Sequence, residues 1–451
     1  MKPSIAKFYH NTIQQMRGWD YRSALSQLEE SQWLPLEVVK KQRLKLLKKL
    51  ITHCYANVPY YRTQWENISF SPEDIQNEED IFCLPIISKD TLREHYNSFL
   101  SEITPDYEIW KTSGSTGKPF PFCLDKNTII YNTFGNLARG KRWWGGEEGN
   151  PEGMIWSGVS DVSGTLTGHL EAIKRRLSWE LKNIKLIDVY SLDLLSIQKG
   201  YEAFQKHQPL LLRSISSGLY RFCAGLEQLG LDGKKMGVKG AIFTGEGFPE
   251  SQRKFVERVL GCPTICEYGC TELGVIGFEC RHKSIHLSHE NYILEFLKDG
   301  RPAQAGETAE LVVTNLRNYA SPLIRYAVGD FVVPSARVCE CGRTLPIIEH
   351  VQGRLHDSVI TPDGRTIHGL FFTHLFDKYD QVHQFRVVQE DIVHLTIELV
   401  SFEHINGFVL NDLKNAVEKQ FGPQVVVNIS QVSSIPTSAR GKTPWIISKI
   451  S

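Results

Sequence analysis

The segment with the most evident chemistry is the hydroxyl- and glycine-rich stretch from Lys111 to Pro119, KTSGSTGKP. Small residues and glycines let backbone N–H groups approach phosphate oxygens closely, and Lys118 adds a positive point charge. The stretch therefore predicts a phosphate-binding loop. It is not a Walker A loop, because Gly114, Gly117 and Lys118 lie too close together for the G-x-x-x-x-G-K-[ST] spacing. A flexible Ser/Gly linker is the competing interpretation of this stretch alone.

A second group of residues could hold a metal ion. Cys280, His286, Cys339 and Cys341 offer three thiolates and one imidazole, a set that suits tetrahedral Zn²⁺. Because four protein ligands close the coordination sphere, we expect a structural rather than a catalytic zinc. His282 is a competing ligand. Four unrelated reduced residues are the alternative, since cysteine is also a common core residue.

The elements that must position these residues follow from hydrophobic periodicity. Leucines at helical spacing predict helices up to about Trp65, with a break at Pro59. From about Pro85, short apolar runs alternate with helical segments, which favours an α/β sheet. The predicted strands lie at residues 153–157, 185–190, 210–214 and 240–244.

The chain changes character after Ala305. Strands are predicted at residues 310–314 and 330–334, and a hairpin at 359–367 around Asp363-Gly364. An alternating strand at 393–400, a helix at 411–421 and a strand at 425–429 then predict a small α+β domain. We therefore expect a large, multi-sheet α/β N-terminal domain with a helical start, residues 1–352, and a small mobile α+β C-terminal lid, residues 353–451.

Composition excludes several classes of protein. Lys plus Arg and Asp plus Glu both number 51 among 451 residues, so a broadly electrostatic nucleic-acid binder is not expected. No apolar run is long enough to span a bilayer, and no signal peptide is recognised at the start, so we expect a cytoplasmic protein. The ten cysteines are too sparse to staple the fold and are expected to be reduced.

The stretch TSGSTGKP resembles the phosphate loop of the adenylate-forming superfamily, to which the acyl-CoA synthetases belong. Four further elements resemble those of the family and follow in its order. They are Glu267-Tyr268-Gly269-Cys270-Thr271-Glu272, Arg325-Tyr326-Ala327-Val328-Gly329-Asp330, Gly353-Arg354 and Arg440-Gly441-Lys442. The helical start ending in Asn-Val-Pro-Tyr-Tyr, and Cys339-Glu340-Cys341-Gly342-Arg343, look most like the phenylacetate-CoA ligase-like branch. That branch includes the so-called capsular polysaccharide biosynthesis proteins.

The resemblance implies an ATP- and Mg²⁺-dependent ligase that activates a carboxylic acid as an acyl-adenylate with release of pyrophosphate. The acyl group then passes to an acceptor, for which coenzyme A is expected. The implied phosphate-binding residues are Thr112, Ser113, Gly114, Ser115, Thr116, Gly117 and Lys118. Glu272 would ligate Mg²⁺, a hard cation that prefers carboxylate oxygens, and Thr271 would hydrogen-bond the α-phosphate.

The remaining implied roles concern the nucleoside and the lid. Tyr268, between Glu267 and Gly269, would stack on adenine, and Gly245-Glu246 match the adenine-side turn more loosely. Asp330 would accept from both ribose hydroxyls, with Arg354 supporting it. Lys442 would bridge the substrate carboxylate and the α-phosphate, which reduces the repulsion between two anions.

One position departs from the family pattern. His356 stands where the first Asp of Gly-Arg-x-Asp-Asp, the hinge of domain rotation, is usual, and only Asp357 remains. Transfer to coenzyme A would use rotation of the C-terminal domain about this hinge, so acceptors other than coenzyme A stay open. An amide ligase acting on an amine or sugar, and a non-catalytic nucleotide-binding protein, are the alternatives; an oxidase or reductase would need an appended domain. The sequence does not predict which acid is used, and it leaves the oligomeric state open, with a homodimer as one alternative.

Overall fold

The computed structural model describes residues 2–103, 106–111, 120–156, 166–354, 358–376, 378–379, 381–401, 403–436 and 445–450. The chain divides into two compact units. The first unit consists of Lys2–Gly149 and Ile265–Val351, and the second of Asn150–Thr264 and Gln352–Ser451. The division into domains 1–352 and 353–451 stays a prediction.

The fold is mixed α/β, as expected. The α-helices are α1 (Pro3–Met16), α2 (Tyr21–Ser31), α3 (Leu36–Asn57), α4 (Pro59–Asn67), α5 (Lys89–Glu94), α6 (Lys126–Thr128), α7 (Asn136–Trp143), α8 (Leu166–Leu181), α9 (Leu194–His207), α10 (Ser216–Gln228), α11 (Glu250–Leu260), α12 (Leu370–Phe376) and α13 (Gly407–Phe421). A π-helical segment, Ile129–Gly135, joins α6 to α7.

The strands are β1 (Tyr107–Lys111), β2 (Pro121–Asp125), β3 (Glu152–Trp156), β4 (Ile184–Asp188), β5 (Leu211–Ile215), β6 (Gly240–Thr244), β7 (Thr264–Cys270), β8 (Gly274–Glu279), β9 (Ile285–Leu287), β10 (Tyr292–Lys298), β11 (Arg301–Pro302), β12 (Ala309–Asn315), β13 (Tyr326–Ser335), β14 (Ile347–Arg354), β15 (Ser358–Ile360), β16 (Thr366–His368), β17 (Gln384–Gln389), β18 (His394–Val400), β19 (Val426–Gln431) and β20 (Ile446–Ser448).

The helical start of the first unit follows its sequence pattern. Leu47, Leu50, Ile51 and Cys54 recur at helical spacing in α3 and are fully buried. Pro59 divides the pattern as predicted: α3 ends before it and the proline becomes the first residue of α4, where its missing N–H is not needed.

Antiparallel strands form the sheet of the first unit, in the order β11-β10-β12-β13-β14-β9-β8-β7. A separate hairpin pairs β1 with β2, and Lys111 lies opposite Pro121 in its register. This hairpin brings together the two strands that flank the predicted phosphate loop.

In the second unit, β6-β5-β3-β4 form a parallel sheet. All five residues of β6 are buried, which explains its nearly continuous apolar sequence. The four strands lie within two residues of their predicted positions. Helices α8, α9 and α10 connect them, so the predicted alternation of strands and helices is confirmed.

The C-terminal part of the second unit contains the β15–β16 hairpin and a four-stranded sheet ordered β19-β18-β17-β20. Its core includes Phe372, Phe385, Leu399 and Phe421. Helix α13 begins four residues before the predicted start, because the Asn406 side chain accepts the Val409 N–H and caps it. In the part of the chain that the structure describes, no helix has the length and apolar character of a bilayer-spanning segment.

Candidate functional site

Two of the predicted nucleotide-binding residues meet in the first unit. The Tyr268 hydroxyl donates a hydrogen bond to Asp330 Oδ2 at 3.0 Å. Tyr268 lies on β7 and Asp330 on β13, and both side chains are buried. The hydrogen bond fixes one carboxylate oxygen beside the aromatic ring. This arrangement suits a nucleoside, which presents a planar base and neighbouring hydroxyl groups.

Gly269 permits a close approach between β7 and β8. A Cβ on Gly269 would lie 2.2 Å from the Gly274 carbonyl oxygen, well inside van der Waals contact. The β7–β8 register also shifts between Tyr268 and Gly269. The predicted element Glu267–Glu272 therefore consists of the end of β7, which Gly269 lets approach β8, and of Thr271 and Glu272 in the turn that follows.

Glu272 is a buried carboxylate with a cation beside it. The Lys89 ammonium donates to Glu272 Oε1 at 3.0 Å, and the Tyr326 hydroxyl lies 3.5 Å from the same oxygen. The lysine shows that the surroundings of Glu272 accommodate a positive charge at this distance. A carboxylate oxygen is also the ligand type that Mg²⁺ prefers. Glu272 therefore fits the predicted role of a magnesium ligand.

Arg325 explains how the Arg-Tyr-x-x-Gly-Asp element is supported. Its guanidinium makes hydrogen bonds of 2.7–3.1 Å to both carboxylate oxygens of Glu295, in a buried pair. It also donates to the carbonyl oxygens of Phe82 and Leu84. Arg325 thereby fastens the chain segment that precedes Lys89 to the beginning of β13.

Gly245 and Glu246 lie in the second unit, directly after β6. Glu246 Oε2 accepts the backbone N–H of Ser217, and its carbonyl oxygen accepts the Ser216 hydroxyl. These contacts place a carboxylate at the N-terminus of α10, where the exposed N–H groups and the helix dipole favour negative charge. Glu246 thus has a structural role that the sequence did not reveal.

Several predicted site residues lie outside the described part of the chain. These are Thr112, Ser113, Gly114, Ser115, Thr116, Gly117 and Lys118 of the phosphate loop, Lys442, and His356 and Asp357 of the hinge region. Arg354 is the last residue of β14. Their roles stay predictions.

The four predicted zinc ligands come together in the first unit. The ligand atoms of Cys280, His286, Cys339 and Cys341 all lie within 4.8 Å of one another. Cys280 Sγ lies 3.6 Å from Cys339 Sγ, close to the roughly 3.8 Å expected between two thiolates on one tetrahedral zinc. His282 is not part of this cluster: its ring faces the Glu340 carboxylate at 3.2 Å near the surface.

Histidine orientation in the cluster suits a metal ligand. His286 Nδ1 donates to the Leu345 carbonyl oxygen at 3.3 Å, and Nε2 lies 3.2 Å from Cys341 Sγ. A backbone carbonyl on one ring nitrogen is the usual partner of a metal-binding imidazole. Burial lowers the pKa of His286 to about 4, so the ring is neutral at pH 7 and keeps a lone pair for a metal.

The pKa values of two cysteines in the cluster, Cys280 and Cys339, are shifted in opposite directions. Burial raises the pKa of Cys280 to about 12. The pKa of Cys339 is also raised by burial, but hydrogen bonds from the Ser284 hydroxyl and the Cys341 backbone outweigh this and lower it overall. Without a compensating cation, three thiolates would not be stable together in so small a space. The donor set therefore fits Zn²⁺.

The loop that carries two of these cysteines contacts the helical start of the chain. Thr344 donates its backbone N–H to the Gln32 carbonyl oxygen at 2.9 Å, and Arg343 donates to the Gln32 side chain at 3.0 Å. The Arg343 guanidinium also lies over the rings of Trp143 and Trp33, at 4.3 and 5.1 Å. The Cys/His cluster is thus linked to the end of α2.

The sequence of this chain is similar to those of known proteins. The family model described as "CapK C-terminal domain" matches residues 359–449. A phenylacetate-coenzyme A ligase of Escherichia coli (strain K12) is 26% identical over 425 residues, which cover 89% of this chain and 92% of that protein. Protein CapK of Staphylococcus aureus is 22% identical over 389 residues, covering 81% and 80%.

A solved structure extends the likeness to the whole fold. A 2-hydroxyisobutyryl-CoA ligase in the postadenylation state superposes with a TM-score of 0.74 at 16% identity, covering 94% of this chain and 92% of that one. The fold is that of an adenylate-forming ligase. Its relatives include phenylacetate-CoA ligases and a CapK protein, so the predicted branch and the expectation of an acyl-CoA ligase-like enzyme are confirmed.

Sequence reasoning missed the residues that support Glu272. Lys89 precedes it by 183 residues, and the stretch around this lysine carries no distinctive motif. Arg325 belongs to the Arg-Tyr-x-x-Gly-Asp element, but the pattern of that element does not predict its partner Glu295. Nothing in the sequence indicates that Glu295 is buried and paired, since a lone acidic residue in an alternating strand usually faces solvent.

Proposed function

We propose that this adenylate-forming protein activates a small carboxylic acid with ATP, forming an acyl-adenylate and pyrophosphate, and then transfers the acyl group to coenzyme A. The observation that carries the proposal is the buried Tyr268–Asp330 pair, with the buried Glu272 carboxylate four residues beyond Tyr268 in the chain. It combines an aromatic face, a carboxylate suited to hydroxyl groups and a carboxylate suited to a divalent cation. A nucleoside triphosphate with its metal has these complementary parts.

The roles of the residues follow from the charge that adenylation must manage. Attack of a carboxylate on the α-phosphorus brings two anions together, and preorganised cations and N–H donors lower that barrier. Asp330 would accept from the ribose hydroxyls while it also accepts from Tyr268. Glu272 would hold Mg²⁺, which neutralises phosphate charge when bound. Thr112 to Lys118 would bind the β- and γ-phosphates.

Lys442 would bind both reacting anions, the substrate carboxylate and the α-phosphate. In Lys442→Ala we expect carboxylate-dependent ATP–pyrophosphate exchange to fall by at least a hundredfold while ATP still binds. Lys449→Ala, at an exposed lysine paired with Glu390, is the matched control. Full exchange by Lys442→Ala would contradict this assignment.

The decisive experiment is ATP–pyrophosphate exchange across aryl, aliphatic, hydroxy, amino and sugar acids. Exchange with one class would establish adenylation and identify the acid. Addition of coenzyme A should then convert exchange into net AMP release and a thioester. Nucleotide binding without exchange by any acid would instead favour a non-catalytic protein on the same fold.

A second candidate acceptor is an amine, as on an amino sugar. The match of residues 359–449 to the CapK C-terminal domain and the likeness to Protein CapK favour it, because the sequence resemblance links that branch to capsular polysaccharide biosynthesis. Product formation with an amine but not with coenzyme A would establish the amide ligase.

A further inference from the structure

Lys89 is the cation beside the buried Glu272 carboxylate. Its ammonium lies 3.0 Å from Glu272 Oε1, and the two side chains are 31% and 6% exposed. Removal of the lysine would leave the buried Glu272 carboxylate without this counter-ion, and proteins avoid an uncompensated buried charge. The lysine therefore stabilises Glu272 whenever no other cation is present.

The backbone around Lys89 is fixed to the strand that also carries Tyr326. Ile87 donates its N–H to the Arg325 carbonyl oxygen, and its own carbonyl accepts the Ala327 N–H, both at 2.9 Å. Ser88 then caps α5 by accepting the Thr91 N–H at 3.0 Å. Lys89 thus begins the helix from an anchored position, while its four-carbon stem leaves the ammonium free to move.

A metal ion and Lys89 cannot both approach Glu272 Oε1 without strong repulsion. Two like charges so close together in a partly buried site repel each other strongly, because little water screens them. A flexible, partly exposed lysine can instead turn toward a new anion. Such an anion accompanies the metal when the ligand is a nucleoside triphosphate.

We propose that Lys89 is an exchangeable counter-ion: it holds Glu272 in the metal-free protein, yields that carboxylate to Mg²⁺, and then donates to the phosphate oxygens of the bound nucleotide. This rests on the proposed function. Lys89 is accordingly a positioning residue for Glu272 before nucleotide binding and a ligand of the triphosphate afterwards.

The first test measures ATP binding by calorimetry at a series of free Mg²⁺ concentrations. In Lys89→Met, the Mg²⁺ concentration for half-maximal binding should fall three- to tenfold, because competition for Glu272 is lost. The ATP dissociation constant at saturating Mg²⁺ should rise three- to tenfold, because a phosphate ligand is lost. A purely structural lysine would not move these quantities in opposite directions.

Matched variants separate this effect from damage to α5. Arg93→Met removes a cation one turn further along, whose partner is the exposed Asp90 carboxylate at 2.9 Å, and should behave as wild type. Lys89→Arg retains the charge and should restore the wild-type Mg²⁺ midpoint to within twofold. Lys89→Gln repeats the test should Lys89→Met fail to fold.

The outcomes also distinguish this proposal from the proposed function. A Mg²⁺ midpoint in Lys89→Met that is unchanged or higher than in wild type would overturn the role of Lys89, whatever the activity. Wild-type protein that binds Mg²⁺–ATP but shows no exchange would overturn the ligase while the binding test still decides on Lys89. Failure of wild type to bind ATP would overturn both.

Discussion

The Tyr268 hydroxyl donates to Asp330 Oδ2 at 3.0 Å, although 62 residues separate the two in the chain. Strands β8, β9 and β14 lie between their strands in the sheet order. The contact joins two elements of the sequence resemblance, the aromatic-Gly-x-Thr-Glu element and the Arg-Tyr-x-x-Gly-Asp element. The fold therefore brings residues of both elements into direct contact.

Tyr268→Phe removes the donor to this buried carboxylate and keeps the ring. We expect the dissociation constant of ATP to rise about five- to tenfold, because the carboxylate loses the partner that fixes its position. Such a hydrogen bond to a charged group contributes about 1.5 kcal/mol or more, and only part of this should appear as lost ATP affinity. Asp330→Asn should weaken binding further, because it removes the charged acceptor for the ribose. Calorimetry with ATP measures both.

The control for the tyrosine change is Tyr190→Phe, which alters an exposed tyrosine of the second unit. It should leave ATP affinity unchanged. Equal ATP affinity in wild type and Tyr268→Phe would mean that the Tyr268–Asp330 contact does not prepare the carboxylate for the nucleotide.

The cluster of Cys280, His286, Cys339 and Cys341 should bind zinc. We expect purified protein to contain about one equivalent of zinc and Cys339→Ser to contain much less, because the ligand atoms of four residues converge. Cys83→Ser, at an exposed cysteine outside the cluster, should retain the metal. Well under one equivalent in wild type would refute the structural zinc.

Removal of the metal by a chelator should loosen the end of α2. Thr344 follows the Cys339–Cys341 turn and donates its N–H to Gln32, so disorder of the turn should release that hydrogen bond. We expect amide hydrogen exchange to quicken at residues 31–34 and at Thr344, measured by mass spectrometry. Unchanged exchange there in verified metal-free protein would show that the contact holds without the cluster.

Residue type and local pattern alone predict two features of the structure, the Cys/His cluster and strand β6. Three cysteines and a histidine at restrictive spacings are rare by chance, and Cys280, His286, Cys339 and Cys341 do converge. Likewise the apolar run at residues 240–244 predicts β6 with its observed bounds, because a buried strand of a parallel sheet needs an apolar run between turns. Both signals are local in the chain or chemically distinctive.

Sequence reasoning failed where a pairing depends on the fold. Lys89 and Glu272, or Arg325 and Glu295, are ordinary charged residues, and nothing in their local sequence specifies the partner. The sequence leaves His282 as a competing ligand beside His286, and the position of β9, which buries His286, decides between them. Such pairs require the three-dimensional arrangement of the strands.

His289 provides a test by pH. Burial lowers its pKa to about 4, although the neighbouring Glu290 raises it, while Arg43 and Arg139 lower it further. The unfolded chain binds the proton near the ordinary value of 6.5, so the unfolded state carries more protons between these values. Stability should therefore be fully present above pH 6.5 and fall as pH drops toward 4, by about 3 kcal/mol from this residue.

The measurement for His289 is urea unfolding of wild type and His289→Gln between pH 7 and pH 4. The difference in free energy of unfolding between the two proteins should shift in favour of the variant as the pH falls. His394→Gln, at an exposed histidine that contacts Asp391 at 2.8 Å, should show no shift of this sign. A constant difference across the range would mean that His289 is not held neutral.

Gly269→Ala tests the turn that presents Thr271 and Glu272. The added methyl group would meet the Gly274 carbonyl at 2.2 Å and the Val275 Cα at 3.0 Å, both backbone atoms that cannot rotate away. We expect a loss of about 1–3 kcal/mol in the free energy of unfolding, typical of overpacking. ATP affinity should weaken as well, because Tyr268 adjoins the displaced turn.

Gly247→Ala is the matched control for this change, since a Cβ at Gly247 has no atom within 4 Å in the structure. Its free energy of unfolding should stay within about 0.5 kcal/mol of wild type, as for most exposed substitutions. Loss of stability in Gly269→Ala with unchanged ATP affinity would separate the turn from the nucleotide site. Loss of both, with Gly247→Ala unaffected, would show that the close approach of β7 and β8 at Gly269 positions the binding residues.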